Sequence, residues 1–572
     1  MTLSTLVISI AITALILTLI IGLTTKSIKN WIISYLQNFC GALFVFSGWV
    51  KAIDPLGTAF KMEQYFAEFE AAFSGTWFSF LAPLFPWLSK YAISFSVGMI
   101  VFEIVLGILL LIGGWRKFTA WAFFLLVAFF TFLTGFTYLT GYVPSDPVYV
   151  VQNVSGETRE ITGDEVAELE GAWKAIDTIK VNFFQFGKWG PYVATNMKVT
   201  DCGCFGDFLV LEPKVSFLKD VFLLIPALVF LFFWRQKHQL FSAPIRTGIV
   251  LLSTTGLILY CFSNYKWDLP HADFRPFREG RNIRLERNME EIAGGNIQTI
   301  AYELTNKASG EKKIIPVAEY LQTYKDYPKD SWDSEQITSE PSIQLVKSKD
   351  APEGYVIPAA EGEDFEQELV KYLKGRWKIA SDTFTKVVEP TKISDFEAGD
   401  ANGNDKTYDI LNEEGYSFMI IAYKLKADEV STTTRVVEDS IYVVDTLAQA
   451  DSIILTRRLD RVDKRQVEEK VYTWNNHYLE PWVNQVNPVM EAAAGNKIPV
   501  FAITALAEPE KLNSFREITQ STYPFYTADD IMLKTIIRSN PGVVLLKKGE
   551  IIQKWHYSKL PPFATIQSQY MK

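Results

Sequence analysis

Apolar positions divide the chain in two. Up to about residue 264 they come in runs of roughly twenty, the length needed to cross the hydrocarbon core of a bilayer. Six such runs stand out, at about 3–24, 31–52, 92–114, 118–141, 216–234 and 247–264, and each predicts a membrane helix. The third and fourth are joined only by Trp115-Arg116-Lys117, which forces an antiparallel hairpin. The first run has no basic n-region and no small-residue cleavage site, so it reads as a retained helix and not a signal peptide. From about Tyr265 onward the apolar stretches shorten and are broken by polar positions, as in an acidic soluble protein.

Charge turns this pattern into a topology. Lys26 and Lys29 follow the first run, Arg116 and Lys117 the third, and Arg235, Lys237 and Arg246 the fifth. Short loops rich in Lys and Arg stay in the cytoplasm. The N-terminus, the loops 53–91 and 142–215 and everything after 264 are then expected outside. For a bacterial inner-membrane protein that means a large periplasmic C-terminal region. The loop 53–91, with Phe60, Tyr65, Phe69, Trp77, Phe80 and Trp87, is aromatic enough to lie on the membrane surface. The net charge of −9 and the lack of a basic cluster argue against nucleic acid. The lipid bilayer is an expected partner, and the four histidines show no metal-ligand spacing.

Candidate chemistry centres on Thr200-Asp201-Cys202-Gly203-Cys204-Phe205-Gly206-Asp207, at the mouth of the fifth run. It holds two of only four cysteines. Two thiols one residue apart can close a small ring, and Gly203 permits the bend. Strained disulfides are the exchange-active kind. The alternatives are a static local staple, or two free thiols packed beside the membrane. The expected topology puts the pair on the oxidising side. Cys261, near the outer end of the sixth run, is a possible resolving thiol, whereas Cys40 reads as a small buried hydrophobe.

Glu103 is the only acidic residue in the middle of a run. Such a group is expensive in a bilayer and is usually paired. Lys51 is displaced along its own helix by about nine residues, roughly 13 Å at 1.5 Å per residue. Glu103 is therefore expected either to be protonated and bonded to Thr131, Thr134 or a tyrosine, or to face a polar cavity serving a quinone or a proton path. Lys51 and Asp54 lie one turn apart at the end of the second run and can pair.

Ser47-Gly48-x-x-Lys51, Asp54-Pro55-x-Gly57, Glu103 with Gly107, and Cys-Gly-Cys-Phe-Gly together resemble the DoxX/MauE family of four-helix membrane proteins, over roughly residues 31–235. The cysteine element resembles the MauE-like branch, which is associated with methylamine utilisation and thought to support disulfide formation in a periplasmic enzyme. DoxX relatives are linked to quinone-coupled sulfur oxidation. The resemblance implies a redox setting. The chain adds a span at each end, a polar insertion at about 146–200 and a large tail.

In that tail, 265–404 reads as a small α+β region, with a hairpin over Ile297 to Leu304 and beyond and an amphipathic helix at Glu361 to Leu373. Residues 405–572 show strands at Tyr416–Leu425 and Ile498–Ala505, helices at Pro481–Ala494 and Asp529–Ile537, and a strand–turn–strand from Pro541 to Ile552. This β-α-β, α-β-β order resembles the thioredoxin fold, in which Pro541 stands where a cis-proline is expected. No cysteine follows Cys261, so the tail cannot run thiol exchange and reads as a docking module. A long insertion, about Lys426 to Thr473, interrupts it, and the charge run Asp460 to Lys470 reads as a solvated helix face.

The expected architecture is thus an all-α membrane bundle at 1–264, a four-helix core with one extra span at each end, followed by a soluble α/β (α+β) region. Two functions follow. The first is a thiol–disulfide component acting on envelope proteins through Cys202 and Cys204. The second is a non-catalytic scaffold whose thioredoxin-like tail holds a periplasmic or membrane partner.

Overall fold

In the computed structural model, which describes residues 2–145, 148–153, 158–161, 173–179, 181–199, 203–358, 362–449 and 452–572, each of the six apolar runs is a helix. The chain separates into two units, Met1–Phe274 and Arg275–Lys572.

The first unit is helical. Its elements are α1 (Leu3–Thr25), α2 (Trp31–Ile53), α3 (Pro55–Phe73), the short α4 (Leu84–Lys90), α5 (Ala92–Ile112), α6 (Arg116–Leu139), α7 (Pro213–Phe232) and α8 (Ala243–Phe262). Polar side chains mark several starts by accepting the backbone N–H groups that have no partner in a first turn. Thr2 caps α1, and Asn30 accepts from Ile32 and Ile33 at the start of α2. Asp54 accepts from Gly57 N, with Pro55 in the first turn, so α2 ends and α3 begins within two residues. Between α6 and α7 lies a three-stranded antiparallel sheet, β1 (Val148–Asn153), β2 (Thr158–Ile161) and β3 (Trp173–Ile179), in the order β2-β1-β3.

Two expectations change here. The stretch 53–91 is not a surface loop. About half of it is α3, which buries Tyr65 and Phe69 against Phe136, while Trp77, Phe80 and Trp87 stay exposed. Lys237, counted above among the basic loop residues, is buried. Its ammonium sits over the Phe230 ring at 5.6 Å, and burial, with help from Arg116, pulls its pKa down to about 7. A lysine with that pKa is only part-charged at neutral pH, so Arg116, Lys117, Arg235 and Arg246 carry the positive charge of those two loops.

Close packing fixes how α2 meets α5. A Cβ at Gly41 would stand 3.0 Å from the Gly107 carbonyl oxygen, and one at Gly107 would stand 2.8 Å from that of Gly41. A Cβ at Gly48 would fall 2.4 Å from Ile104 Cγ1. Small residues let two backbones approach this closely, a common device in membrane helix pairs. Further along, Ser96 Oγ donates to the Pro55 carbonyl at 2.7 Å.

The second unit mixes α and β. It begins with α9 (Ile283–Gly295) and an antiparallel sheet of order β5-β4-β6, from β4 (Thr299–Asn306), β5 (Lys312–Pro316) and β6 (Trp332–Thr338), with α10 (Val317–Thr323) between the last two. A second small sheet, β8-β7-β9, uses β7 (Ser342–Lys347), β8 (Tyr355–Val356) and β9 (Thr383–Val387). With α9 and α11 (Glu363–Arg376) it forms a core around Leu285, Leu345 and Leu369.

After α12 (Thr407–Leu411) comes a five-stranded sheet of order β14-β13-β10-β15-β16. Its strands are β10 (Tyr416–Ala422), β13 (Val500–Ala505), β14 (Phe525–Ala528), β15 (Gly542–Lys547) and β16 (Glu550–His556). The pairs β10–β13 and β13–β14 are parallel, and β15 runs antiparallel to both β10 and β16. Strand β10 is buried at six consecutive positions, Ser417–Ala422, as a central strand must be. Helices α13 (Asn476–Pro481), α14 (Asn487–Gly495), α15 (Pro509–Thr519), α16 (Asp530–Ile536) and α17 (Phe563–Tyr570) accompany this sheet. Trp482, in the π turn between α13 and α14, is fully buried beside Phe515 and Phe525. The Asn540–Pro541 bond is cis.

The insertion after β10 is a correction. It forms β11 (Ala427–Gln449) and β12 (Ser452–Trp474), a two-stranded antiparallel ribbon, so Asp460 to Lys470 lies on a strand and not on a helix face. Opposite charges meet across the ribbon at Lys464–Glu438 and Arg465–Asp439, both 2.7 Å. The charge run is solvated, but its partners are 26 residues away in sequence and not one helical turn away.

Candidate functional site

The site lies within the first unit, in a cavity of about 70 Å³ walled by α2, α3, α5, α6, α7 and the turn at Gly203–Phe205. Ser47 and Lys51 reach it from α2, Lys61 and Tyr65 from α3, and Glu103 from α5. Thr134 of α6, Lys219 and Asp220 of α7, and Cys204 complete its polar wall. The helix contacts just described dictate this convergence.

Lys51 Nζ donates to Glu103 Oε2 at 2.8 Å, and both side chains are almost fully buried. Lys51 thus reaches Glu103 despite its expected displacement along α2, and the partner of Glu103 is this lysine in place of Thr131, Thr134 or a tyrosine, while Glu103 does face a cavity. The 13 Å gap assumed that both helices share one depth. In the observed antiparallel register Gly41 lies beside Gly107, Gly48 beside Ile104 and Pro55 beside Ser96. Lys51 is therefore level with about residue 100, roughly 5 Å from Glu103 along the axis, which the lysine stem spans. Phe130 covers the ammonium from one side, 4.9 Å from its ring centroid.

A second ion pair was not foreseen. Lys219 Nζ lies 2.8 Å from Asp220 Oδ1, and Thr134 Oγ1 donates to Asp220 Oδ2 at 3.1 Å. Asp220 is buried, and Lys219 sits over the Phe205 ring at 5.4 Å. The signal was present in the sequence as a charged dipeptide inside the fifth apolar run, near its start. On α3, Tyr65 donates to or accepts from Thr137 at 2.7 Å, which holds that helix against α6.

The motif residues divide by task. Ser47 Oγ donates to the Cys204 carbonyl at 2.9 Å and so ties the cysteine turn to α2. Gly48 admits Ile104, Asp54 and Pro55 start α3, and Gly57 supplies the N–H that Asp54 accepts. Cys202 lies outside the described residues. Cys261 is buried beside Ala52, Val97 and Ile104, and Cys40 among Leu43, Phe44 and Leu106, so neither lines the cavity.

A quinone does not fit here. A cavity of about 150 Å³ is what admits benzene, and this one has half that volume. Its volume corresponds to two or three waters at about 30 Å³ each. No group of three or more His, Cys, Asp or Glu side chains placed to hold a metal occurs among the described residues.

Among the described residues, six helices long and apolar enough to span a bilayer, with two lysine–carboxylate pairs on one cavity, define a multi-span membrane protein. Residues 29–145 match the family described as "Methylamine utilisation protein MauE". This is about a fifth of the chain, taking in α2 to α6 and the Lys51–Glu103 pair but ending before Cys204. No curated protein and no solved structure matches the chain.

Proposed function

We propose that the first unit is a thiol–disulfide exchange component of a bacterial cytoplasmic membrane, acting on envelope proteins through Cys202 and Cys204. The observation that carries this reading is the position of Cys204 on a small cavity whose largely apolar wall carries three lysines and two carboxylates. Thiol exchange needs an ionised sulfur and a place for protons, and that wall supplies both kinds of group. In the forward step a thiolate of a partner dithiol attacks one sulfur of the Cys202–Cys204 disulfide. A mixed disulfide forms, and the other cysteine of the pair leaves as thiolate. The partner's second thiolate then attacks the partner's sulfur in the mixed disulfide, and the bridging cysteine of the pair leaves in turn. The partner departs with a disulfide, the pair holds the two electrons, and the protons of the partner's thiols go to the released sulfurs or to bases on the cavity wall. The likeness to MauE suggests methylamine utilisation as the setting.

The second unit we read as a thioredoxin-like docking module. Its support is the strand order, two parallel strands beside β10 and an antiparallel β15–β16 hairpin on the other side, together with a sequence that has no cysteine after Cys261. It holds the partner, and the membrane cysteines do the exchange.

Replacing Cys204 by Ser leaves Cys202 without its neighbour. We expect Cys204→Ser to trap a partner as a mixed disulfide, seen as a slower band on a non-reducing gel. If no adduct forms and the Cys202→Ser, Cys204→Ser chain supports the same level of disulfide-bonded envelope protein, the scaffold reading takes its place. Orientation is tested separately. We expect an impermeant maleimide added to intact cells to label Ser309→Cys and not Lys117→Cys, and labelling at 117 would refute the inward placement of the basic loops.

A further inference from the structure

An ordinary thiol, with a pKa near 8.5, is mostly protonated at neutral pH. The residues immediately before and after Cys204 each carry a lysine from a different helix. On one side the stem of Lys61 lies against Gly203, where an added Cβ would stand 3.4 Å from Lys61 Cγ. Gly203 has a φ of +61°, a left-handed conformation that glycine takes without strain. The turn thus presents bare backbone to that stem. On the other side is Lys219, whose ammonium faces the Phe205 ring at 5.4 Å. Both lysines line the cavity that Cys204 lines.

Each ammonium is held in place. Lys61 Nζ donates to Gln64 Oε1 at 3.2 Å, and Lys219 is fixed by Asp220, itself held by Thr134. The remaining cation, Lys51, is tied to Glu103. The chargeable groups facing the sulfur's cavity are therefore Lys51 from α2, Lys61 and Tyr65 from α3, Glu103 from α5, and Lys219 and Asp220 from α7, with three cations against two carboxylates.

We propose that Lys61 and Lys219 act as positioning residues that keep the Cys204 sulfur ionised at neutral pH. This rests on the exchange reading above, because only a sulfur that attacks or leaves needs such a setting. A cation within about 4–6 Å favours the charged form of an acid and lowers its pKa by one unit or more. The two ammoniums come from different helices to the cavity that Cys204 lines, so one cation remains beside it when the turn itself shifts during exchange.

The test uses the full chain carrying Cys202→Ser in lipid nanodiscs, alkylated with iodoacetamide between pH 5.5 and 10. The peptide that contains Cys204 is followed by mass spectrometry. We expect half-maximal ionisation at least one unit below 8.5. Lys61→Gln and Lys219→Gln should each shift the curve upward. Together they should bring it to about 8.5 and slow alkylation at pH 7 by about tenfold, one pKa unit of thiolate. Lys61→Arg and Lys219→Arg keep the charge and should keep the curve. A curve centred at or above 8.5 in the Cys202→Ser chain overturns the proposal even if the glutamine variants do not fold. So does a low curve that neither glutamine moves. The exchange reading fails by a different result: an acidic Cys204 that responds to the lysines, with no partner trapped by Cys204→Ser, leaves the lysine effect standing and removes exchange.

Discussion

Glu103→Gln should destabilise the membrane unit by about 3–5 kcal/mol, the usual loss when one partner of a buried ion pair is removed. Lys51 is the reason. Its side chain is 6 % exposed, its ammonium has Glu103 at 2.8 Å, and its open side is the Phe130 ring. With a neutral amide in place of the carboxylate, that ammonium must deprotonate or draw water from the cavity. The cavity can supply water, so the lower end of the range is expected. Replacing both partners, Lys51→Met with Glu103→Leu, removes the desolvation of two charges along with their attraction and should recover most of the loss. Thermal unfolding of the parent, Lys51→Met, Glu103→Leu and the double variant in one lipid or detergent, taken as a double-mutant cycle, isolates the pair. A Glu103→Gln chain as stable as the parent would mean that Lys51 has another adequate anion. The double variant also separates two roles. If it regains stability but the cysteine pair reacts more slowly with a dithiol, the ion pair serves the cavity chemistry as well as the fold.

How much of this was legible beforehand depends on the range over which each signal acts. The six spans were readable because membrane helices are local objects, set by about twenty residues of composition. The strands and helices around β10, β13, β15 and β16 were readable for a similar reason, since continuous apolar runs bounded by turn residues are local too. The short β14 (Phe525–Ala528) was missed because four residues give no period. Asp460 to Lys470 was misread because alternating charges suit a solvated helix or a ribbon edge equally well. Pairing with Glu438 and Asp439 decided between them, and pairing is not local. The site failed in the same way. Ser47, Lys51, Glu103 and Cys204 were all singled out, but that Lys51 reaches Glu103 depends on the register of α2 against α5. That register is set by Gly41, Gly48 and Gly107; Gly48 and Gly107 stood out only as parts of a family-like motif, and nothing in the sequence said which residues they meet. Lys219 and Asp220 were passed over because two charges near the start of an apolar run do not by themselves show which helix they face.

That dependence of the site on register leads to the last expected result. Gly107→Ala should weaken the fold and open the Lys51–Glu103 pair together. The new Cβ would stand 2.8 Å from the Gly41 carbonyl oxygen, 2.9 Å from Val45 N and 2.9 Å from Val45 Cγ2. Two of these are backbone atoms on α2, which no rotamer change can move aside. The helices must separate or slide, and overpacking of this kind costs about 1–3 kcal/mol. Glu103 lies one turn from Gly107 on α5, so a shift that clears the methyl group moves the carboxylate relative to Lys51 as well. Part of the ion-pair loss then adds to the steric one, and the total should approach that of Glu103→Gln. A like substitution at Gly98, also on α5, is the control, because a Cβ there meets nothing within 4 Å. Gly98→Ala should leave stability unchanged or raise it slightly, since alanine is the better helix former by up to about 1 kcal/mol. Unfolding midpoints of the two variants measured side by side decide the matter. Equal effects at 98 and 107 would show that α2 and α5 do not meet through Gly41 and Gly107, and the explanation for how Lys51 reaches Glu103 would fall with it.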